Sequence, residues 1–167
     1  MKIWTVEVGY KEGTVDPLGS GVKRDIQDLG IAGVEEVKTF NVYFIEGELN
    51  ERDVRRICEE LLADRIIQTY GYSDGELNKL LPKAGVGWLV EVRFKPGVMD
   101  AVGMSTENAL RLMGIGRVKS VRTGVRYLII GKLNEEEVRE VCKRCLVNEL
   151  IHDYSLRRVG KDVRSNS

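Results

Sequence analysis

The sequence predicts an α+β fold that is written twice in one chain of 167 residues. Three observations lead to this prediction: an ungapped internal repeat, apolar residues that alternate as in strands, and apolar residues at helical spacing. The repeat is clearest where Tyr10–Gly19, YKEGTVDPLG, recurs as Phe94–Gly103, FKPGVMDAVG. The same offset of 84 positions, from Lys11 to Lys95, continues on both sides of this segment.

Each repeat begins with a predicted strand and then a predicted helix. Apolar residues alternate with polar or small ones along the first strand, which is typical of a half-buried strand. They are Trp4, Val6, Val8 and Tyr10, and the second repeat has Trp88, Val90, Val92 and Phe94. Asp16 is placed to cap the helix, with Pro17 at its first position, where a missing N–H costs nothing. Gly30 and its twin Gly114 stand where a left-handed C-cap is expected.

The middle of each repeat predicts two further strands. Val34–Thr39 and Val42–Leu49 are strand-like, with a short break at Phe40 and Asn41, so we expect a hairpin. Gly124-Val125 occupies the same break in the second repeat, and glycine suits a tight turn.

The second helix of each repeat has the strongest periodicity. Asn50 and Asp53 form a variant of the capping box. The apolar positions that follow at helical spacing are Val54, Ile57, Cys58, Leu61 and Leu62. A last strand is predicted over Ile66–Tyr72, with its twin over Leu150–Leu156.

Each repeat therefore has the order β-α-β-β-α-β, which is ferredoxin-like: a four-stranded antiparallel sheet with two helices on one face. The predicted boundaries are module 1 at 1–72, a linker at 73–87, module 2 at 88–157 and a flexible tail at 158–167. A module of about 70 residues has a marginal core when it is alone. We therefore expect the two modules to pack as an intramolecular pseudo-dimer.

Composition narrows the class of function. Lys plus Arg and Asp plus Glu are both 26, and this neutral balance argues against a nucleic-acid binder, which needs a basic surface. No apolar run is long enough to suggest a membrane span, and the N-terminus does not resemble a signal peptide. Three cysteines make an odd count for a secreted disulfide framework, so the expected compartment is the cytoplasm.

Two features could carry chemistry, and for each the structural interpretation is favoured. Cys142 and Cys145 form a C-x-x-C, a candidate redox pair or half of a zinc site. Free cysteines more often fill a core, and Leu61 replaces Cys145 in the first repeat. His152, the only histidine, is a candidate base, but its twin is Gln68 and no partner is placed by spacing. We therefore predict no catalytic, cofactor-binding or metal-binding residue.

The candidate site residues lie at the strand-to-helix turns. Lys11 and Asp16, with their twins Lys95 and Asp100, could form a polar contact site for a partner or an anion. The alternative is that each aspartate caps a helix and each lysine is solvated. The neighbouring glycines form no phosphate-binding motif, since no G-x-x-x-x-G-K-[ST] is present.

These residues together resemble a known family. The pattern K-x-G-x-x-D-x-x-G, followed by CEELLADRIIQTY over Cys58–Tyr70, is similar to PurS, the small subunit of phosphoribosylformylglycinamidine synthase. The resemblance covers residues 3 to 72 and returns from 88 to 156. It departs from the family in two ways: both modules are fused, and Ala101 replaces Pro17 in the second repeat.

The resemblance implies a non-catalytic assembly subunit of de novo purine biosynthesis. It would bridge a large ATP-dependent synthetase subunit and a glutaminase subunit, which together convert FGAR, glutamine and ATP to FGAM, glutamate, ADP and phosphate. ATP and Mg would be used by the synthetase subunit, and this chain would bind no cofactor. Further self-association stays open, and neither nucleic acid nor membrane is an expected partner.

Three alternatives stay open. The chain could be a covalent version of a family dimer or resemble the N-terminal domain of a long, fused synthase. Paired βαββαβ units can also bind a metabolite, which would make the protein a small-molecule sensor. A redox enzyme based on Cys142 and Cys145 is the weakest alternative.

Overall fold

The computed structural model describes residues 2–75 and 85–160. Within these ranges the elements are β1 (Lys2–Tyr10), α1 (Pro17–Asp28), β2 (Val34–Glu48), α2 (Glu51–Ile57), β3 (Gln68–Asp74), β4 (Gly87–Phe94), α3 (Ala101–Met113), β5 (Arg117–Gly131), α4 (Glu135–Val141) and β6 (His152–Val159). The central part of the predicted linker and residues 161–167 of the predicted tail lie outside the described residues. Within the described ends of both segments, β3 continues to Asp74, β4 begins at Gly87 and β6 continues to Val159.

The predicted hairpin in the middle of each repeat is wrong. β2 is one strand of 15 residues, and so is its twin β5. A two-residue hairpin needs left-handed backbone conformations. Among the described residues no residue other than glycine has a positive φ, and Gly124 is not one of the glycines that do. Asn41 instead pairs with Val8 in the ladder between β1 and β2.

The second helices end in a π-helical turn, Cys58–Leu62 after α2 and Cys142–Leu146 after α4. Each such turn shifts the helical phase, because it holds more residues than an α-helical turn. Leu61, which was predicted to face the core, is consequently exposed. Leu62 packs against the core instead. The predicted last strands also begin late: Ile66 lies in a turn closed by the Gln68 N–H, which donates to Asp64 O at 2.7 Å.

The described residues divide into two compact units. Unit 1 comprises Met1–Thr14, Phe40–Leu81 and Gly97–Gly124, and unit 2 comprises Val15–Thr39, Pro82–Pro96 and Val125–Ser167. The hydrogen-bonded strand order is β3-β1-β2-β5-β4-β6. Unit 1 accordingly takes β3, β1, the second part of β2 and the first part of β5, with α2 and α3. Unit 2 takes β6, β4, the second part of β5 and the first part of β2, with α4 and α1.

The core of unit 1 combines both repeats. Side chains of β1, β2 and α2 pack with Leu110 of α3 and with Val121 of β5. The register is antiparallel, with Trp4 opposite Ile45 on β2 and Val6 opposite Tyr72 on β3. Trp4 also donates its indole N–H to Leu49 O at 3.3 Å. The helices thus cover one face of a sheet, as a ferredoxin-like fold requires.

The core of unit 2 is built in the same way. Val22 and Ile26 of α1 pack with residues of β4, β5 and α4. β4 and β6 are antiparallel, with Val90 opposite Leu156. Trp88 donates its indole N–H to Leu133 O at 2.9 Å, as Trp4 does in unit 1. Each core therefore contains a helix, and part of a long strand, from the other repeat.

Within residues 2–75 and 85–160, no helix has both the length and the apolar character needed to cross a bilayer.

Candidate functional site

The first strand-to-helix turn, residues 11–16, ends in an aspartate with three internal donors. The Asp16 carboxylate accepts hydrogen bonds from the Gly19 N–H at 2.8 Å and from the Thr39 N–H at 2.6 Å. The Thr39 hydroxyl lies at 3.0 and 2.9 Å from its two oxygens. Asp16 therefore caps α1 and also ties this helix to β2 within unit 2.

The second turn, residues 95–100, repeats this geometry within unit 1. Asp100 accepts from the Gly103 N–H at 2.8 Å and from the Thr123 N–H at 2.6 Å. The Thr123 hydroxyl lies at 2.9 and 3.0 Å from the two carboxylate oxygens. Both aspartates are half-buried. Each carboxylate accepts hydrogen bonds from an N–H of the helix N-terminus and from an N–H of a strand, and such bonds to a charged acceptor are strong. A contact of either aspartate with a partner stays a prediction.

The two lysines have different surroundings. The ammonium of Lys11 is exposed and donates to Arg65 O at 2.6 Å, and the Lys11 N–H donates to Ile67 O at 2.9 Å. Lys95 is half-buried, and its N–H donates to Ile151 O at 2.8 Å. The hydrogen bond that both lysines share is therefore the one from the backbone N–H. A contact of either lysine with a partner also stays a prediction.

The chain changes units within each turn. Thr14 ends the first segment of unit 1, and Val15 begins the first segment of unit 2. In the second turn, Pro96 ends a segment of unit 2 and Gly97 begins a segment of unit 1. Lys11 and Asp100 consequently belong to unit 1, and Lys95 and Asp16 belong to unit 2.

Sequence reasoning missed the residues that complete these caps. Thr39 and Thr123 both lie 23 positions after the aspartate they contact, and this matched spacing was the available signal. Glycine is also required at the third helical position. A Cβ at Gly19 would lie 2.2 Å from Val37 O, and one at Gly103 would lie 2.4 Å from Val121 O. The aspartate and glycine of the repeated pattern thus allow a helix to approach a strand closely.

His152 has a structural contact that Gln68 shares. The Asn148 N–H donates to His152 Nδ1 at 3.0 Å, and the Asp64 N–H donates to Gln68 Oε1 at 2.8 Å. The His152 ring also lies 5.2 Å from that of Phe94, measured between centroids. His152 therefore closes the turn before the last strand, as a glutamine does in the first repeat.

The cysteines lie in or against the cores. Cys58 and Cys142 are fully buried, and burial raises the pKa of each thiol to about 12. Cys145 is half-buried against the core of unit 2, and burial raises its pKa as well. The predicted core position is confirmed for Cys142. Thiols that stay protonated are poor nucleophiles and metal ligands, and among the described residues no group of three or more metal-binding side chains was found.

A buried ion pair was also missed. Arg126 on β5 donates from Nε to Glu91 on β4 at 2.7 Å, with only 5% of the arginine side chain exposed. Arg93 approaches the other oxygen of the same carboxylate at 2.8 Å. A single charge within an alternating strand gives no signal that distinguishes this arrangement from a solvated surface.

Comparison with known proteins identifies the family of both repeats. The family model "PurS: Phosphoribosylformylglycinamidine (FGAM) synthase" matches residues 3–74 and 88–160. Phosphoribosylformylglycinamidine synthase subunit PurS of Methanocaldococcus jannaschii is 38% identical over 73 residues, which cover 41% of this chain and 88% of that protein. The subunit of the same name from Archaeoglobus fulgidus is 36% identical over 70 residues, covering 39% and 88%.

Relatives from Bacillus subtilis match in the same way. Its subunit PurS is 32% identical over 76 residues, covering 43% of this chain and 90% of that protein. The solved structure of B. subtilis PurS in its C2 crystal form aligns with a TM-score of 0.42 and 31% identity, over 46% of this chain and all of that chain. Nearly a whole relative thus corresponds to less than half of this chain, and because the family model matches both halves, the chain belongs to the PurS family, with two PurS modules in tandem.

Proposed function

We propose that this chain is a non-catalytic subunit of phosphoribosylformylglycinamidine synthase that bridges the synthetase subunit and the glutaminase subunit. The observation that carries the proposal is the match of both repeats to PurS, since the relatives are named as subunits of that synthase. The two modules would take the place of two copies of a single-module subunit, as an intramolecular pseudo-dimer in the cytoplasm.

The roles of the polar side chains agree with a supporting function. Asp16, Asp100 and His152 all accept hydrogen bonds that stabilise a helix or a turn. The thiols of Cys58 and Cys142 are buried, and burial raises the pKa of each to about 12. These contacts support a structural role for Asp16, Asp100 and His152, and ATP, Mg and glutamine would be bound by the partner subunits.

The test is reconstitution from three purified components: this chain, the synthetase subunit and the glutaminase subunit of the same source. We expect FGAM formation from FGAR, ATP and glutamine to require all three. FGAM formation with added ammonium in place of glutamine provides the control for a competent synthetase. Glutamine-dependent activity that is unchanged when this chain is omitted would refute the proposal.

A further inference from the structure

The second helices of the two repeats carry opposite charges on their outward faces. With their π-helical turns these helices cover residues 51–62 and 135–146. Their inward sides are alike, since Val54, Ile57 and Cys58 correspond to the equally buried Val138, Val141 and Cys142. On the outward side, the sign of the charge is reversed at four positions. These replacements are Arg52 by Glu136, Arg56 by Glu140, Glu59 by Lys143 and Glu60 by Arg144.

Three of these positions form one row along each helix, because they lie four residues apart. We call Arg52, Arg56 and Glu60 the α2 row, and we call Glu136, Glu140 and Arg144 the α4 row. All six residues are exposed. Each helix has three basic and four acidic side chains, so the formal net charge is −1 over both 51–62 and 135–146. The two faces therefore differ in the order of their charges and not in the sum.

Each row contains one internal ion pair. Arg56 Nε lies 2.5 Å from Glu60 Oε2, and Arg144 Nη1 lies 3.7 Å from Glu140 Oε1. All four side chains are at least half exposed, so these pairs are weak and leave the charges available to another molecule. Keeping an internal pair explains why positions 56 and 60 change sign together. It does not explain why the charge at position 52 is reversed as well.

The order of charges in the α2 row is unfavourable for its own helix. A helix has a partial positive charge at its start and a partial negative charge at its end. The α4 row complements this dipole, because its acidic residues come first and Arg144 comes last. The α2 row has the opposite order, with Arg52 near the start and Glu60 in the last turn. Helix stability thus accounts for the α4 row and not for the α2 row.

We propose that the α2 row of one copy of this chain binds the α4 row of a second copy, with the two helices parallel. All three facing pairs then have opposite charges, and such complementarity selects both a partner and its orientation. An antiparallel arrangement would bring like charges together at both ends of the rows. Two α2 rows, or two α4 rows, would bring like charges together at the central position in either orientation. The facing pairs are Arg52 with Glu136, Arg56 with Glu140 and Glu60 with Arg144.

An exposed apolar side chain follows each helix at the equivalent position. Ile66 and Leu150 are each 85% exposed, in the turns that precede β3 and β6. In a parallel contact the C-terminal ends of the two helices lie at the same end of the interface. The two side chains would therefore be removed from water together, which adds an apolar contribution to the attraction between the rows.

The contact is expected to be weak. Exposed ion pairs contribute little, so we expect a dissociation constant of about 0.1 mM at low salt. The chain is then a monomer at the micromolar concentrations of an unfolding experiment.

The test is a charge swap between two variants of the full chain, measured by sedimentation equilibrium. The acidic variant is Arg52→Glu, Arg56→Glu, and the basic variant is Glu136→Arg, Glu140→Arg. Each variant alone has like charges at two of the three facing pairs, so we expect it to associate at least about tenfold more weakly than the wild type. In an equimolar mixture the acidic α2 row faces a basic α4 row, and the reverse, so association should return to the wild-type affinity.

Three controls accompany the swap. The circular dichroism spectra of both variants should match that of the wild type, because the substituted residues are exposed. Lys23→Glu, Arg24→Glu on α1 changes the net charge by the same amount as the acidic variant and should leave association unchanged. Raising the salt from about 50 to about 500 mM should weaken association of the wild type and of the mixture.

The inference does not depend on the proposed function, because FGAM formation by the three reconstituted components is measured separately. A wild-type chain that stays monomeric at about 1 mM and low salt would overturn the inference. A mixture of the two variants that associates no better than either variant alone would also overturn it. So would a wild-type monomer whose binding to the synthetase or glutaminase subunit is lost in the acidic variant, since the α2 row would then bind another protein.

Discussion

Helices α1 and α3 are equivalent by sequence repeat, yet only their inward sides have stayed alike. The carboxylate distances to the glycine N–H and the threonine N–H are 2.8 and 2.6 Å at both Asp16 and Asp100. Outward, Asp28 of α1 corresponds to Leu112 of α3. The comparison teaches that the contacts which fix a helix on its strand restrict substitution, whereas the exposed side can diverge without affecting the fold.

The largest expected effect is at the helical glycines. Gly19→Ala and Gly103→Ala should each destabilise the protein by about 3 kcal/mol, because the new Cβ would overlap a backbone carbonyl at 2.2 or 2.4 Å. Gly21→Ala provides the control, since its Cβ would have nothing within 4 Å and alanine favours the helix by about 0.8 kcal/mol. Urea unfolding measures all three. Unequal losses at Gly19 and Gly103 would break the equivalence of the two helices.

The aspartate caps come next. Asp16→Ala and Asp100→Ala should each cost about 2 kcal/mol, because a cap and a strand N–H both lose their acceptor. Asp53→Ala should cost less, since Asp53 only accepts from the exposed Asn50 N–H at 3.0 Å. Chemical unfolding of the three variants gives the order directly. A loss at Asp100 that matches the loss at Asp53 would mean that the Thr123 contact contributes nothing.

The buried thiols of Cys58 and Cys142 predict how the free energy of unfolding depends on pH. In the folded state burial raises the pKa of Cys58 and Cys142 to about 12 from a usual value of 9.0. Above pH 9 the unfolded chain therefore binds fewer protons than the native one, so the free energy of unfolding falls as pH rises. We expect a loss of about 1 kcal/mol per thiol between pH 8 and pH 10. Cys58→Ala, Cys142→Ala should flatten this slope, and an unchanged slope would contradict the assignment.

The smallest effect concerns the single histidine. His152→Gln should change the free energy of unfolding by no more than about 0.5 kcal/mol, because glutamine supplies the same acceptor at position 68. His152→Ala should cost about 1 kcal/mol, since the Asn148 N–H then loses its partner. Thermal unfolding of both variants tests the pair. Equal losses in the two would show that the hydrogen bond is unimportant.

Much of the local structure was predictable from sequence. Asp16 and the Asn50–Asp53 box cap their helices as predicted, and Gly114 has the left-handed φ of 67° that a C-cap requires. These features depend on residues a few positions apart, so the sequence pattern contains the whole interaction. The ferredoxin-like fold class and the membership of the PurS family were likewise predictable, because they rest on a pattern that covers each repeat.

The exchange of helices between cores was not predictable. Val22 and Ile26 are buried in the core of unit 2. Their apolar side chains would be buried equally well in a core formed by their own repeat or by the other repeat. Periodicity records which side of a helix is buried and not which strand covers it. The continuous β2 was missed for a related reason: Phe40 and Asn41 interrupt the alternation, but only pairing with β1 shows that the strand continues there.

The mixed composition of the cores has a consequence for folding. A single repeat lacks the helix that would complete its own core, so it would need a second chain, at a cost that depends on protein concentration. With both repeats in one chain, that bimolecular step becomes intramolecular, at an effective concentration in the millimolar range for short linkers. Dilution, which would disassemble two separate modules, should therefore leave the melting temperature of this protein unchanged.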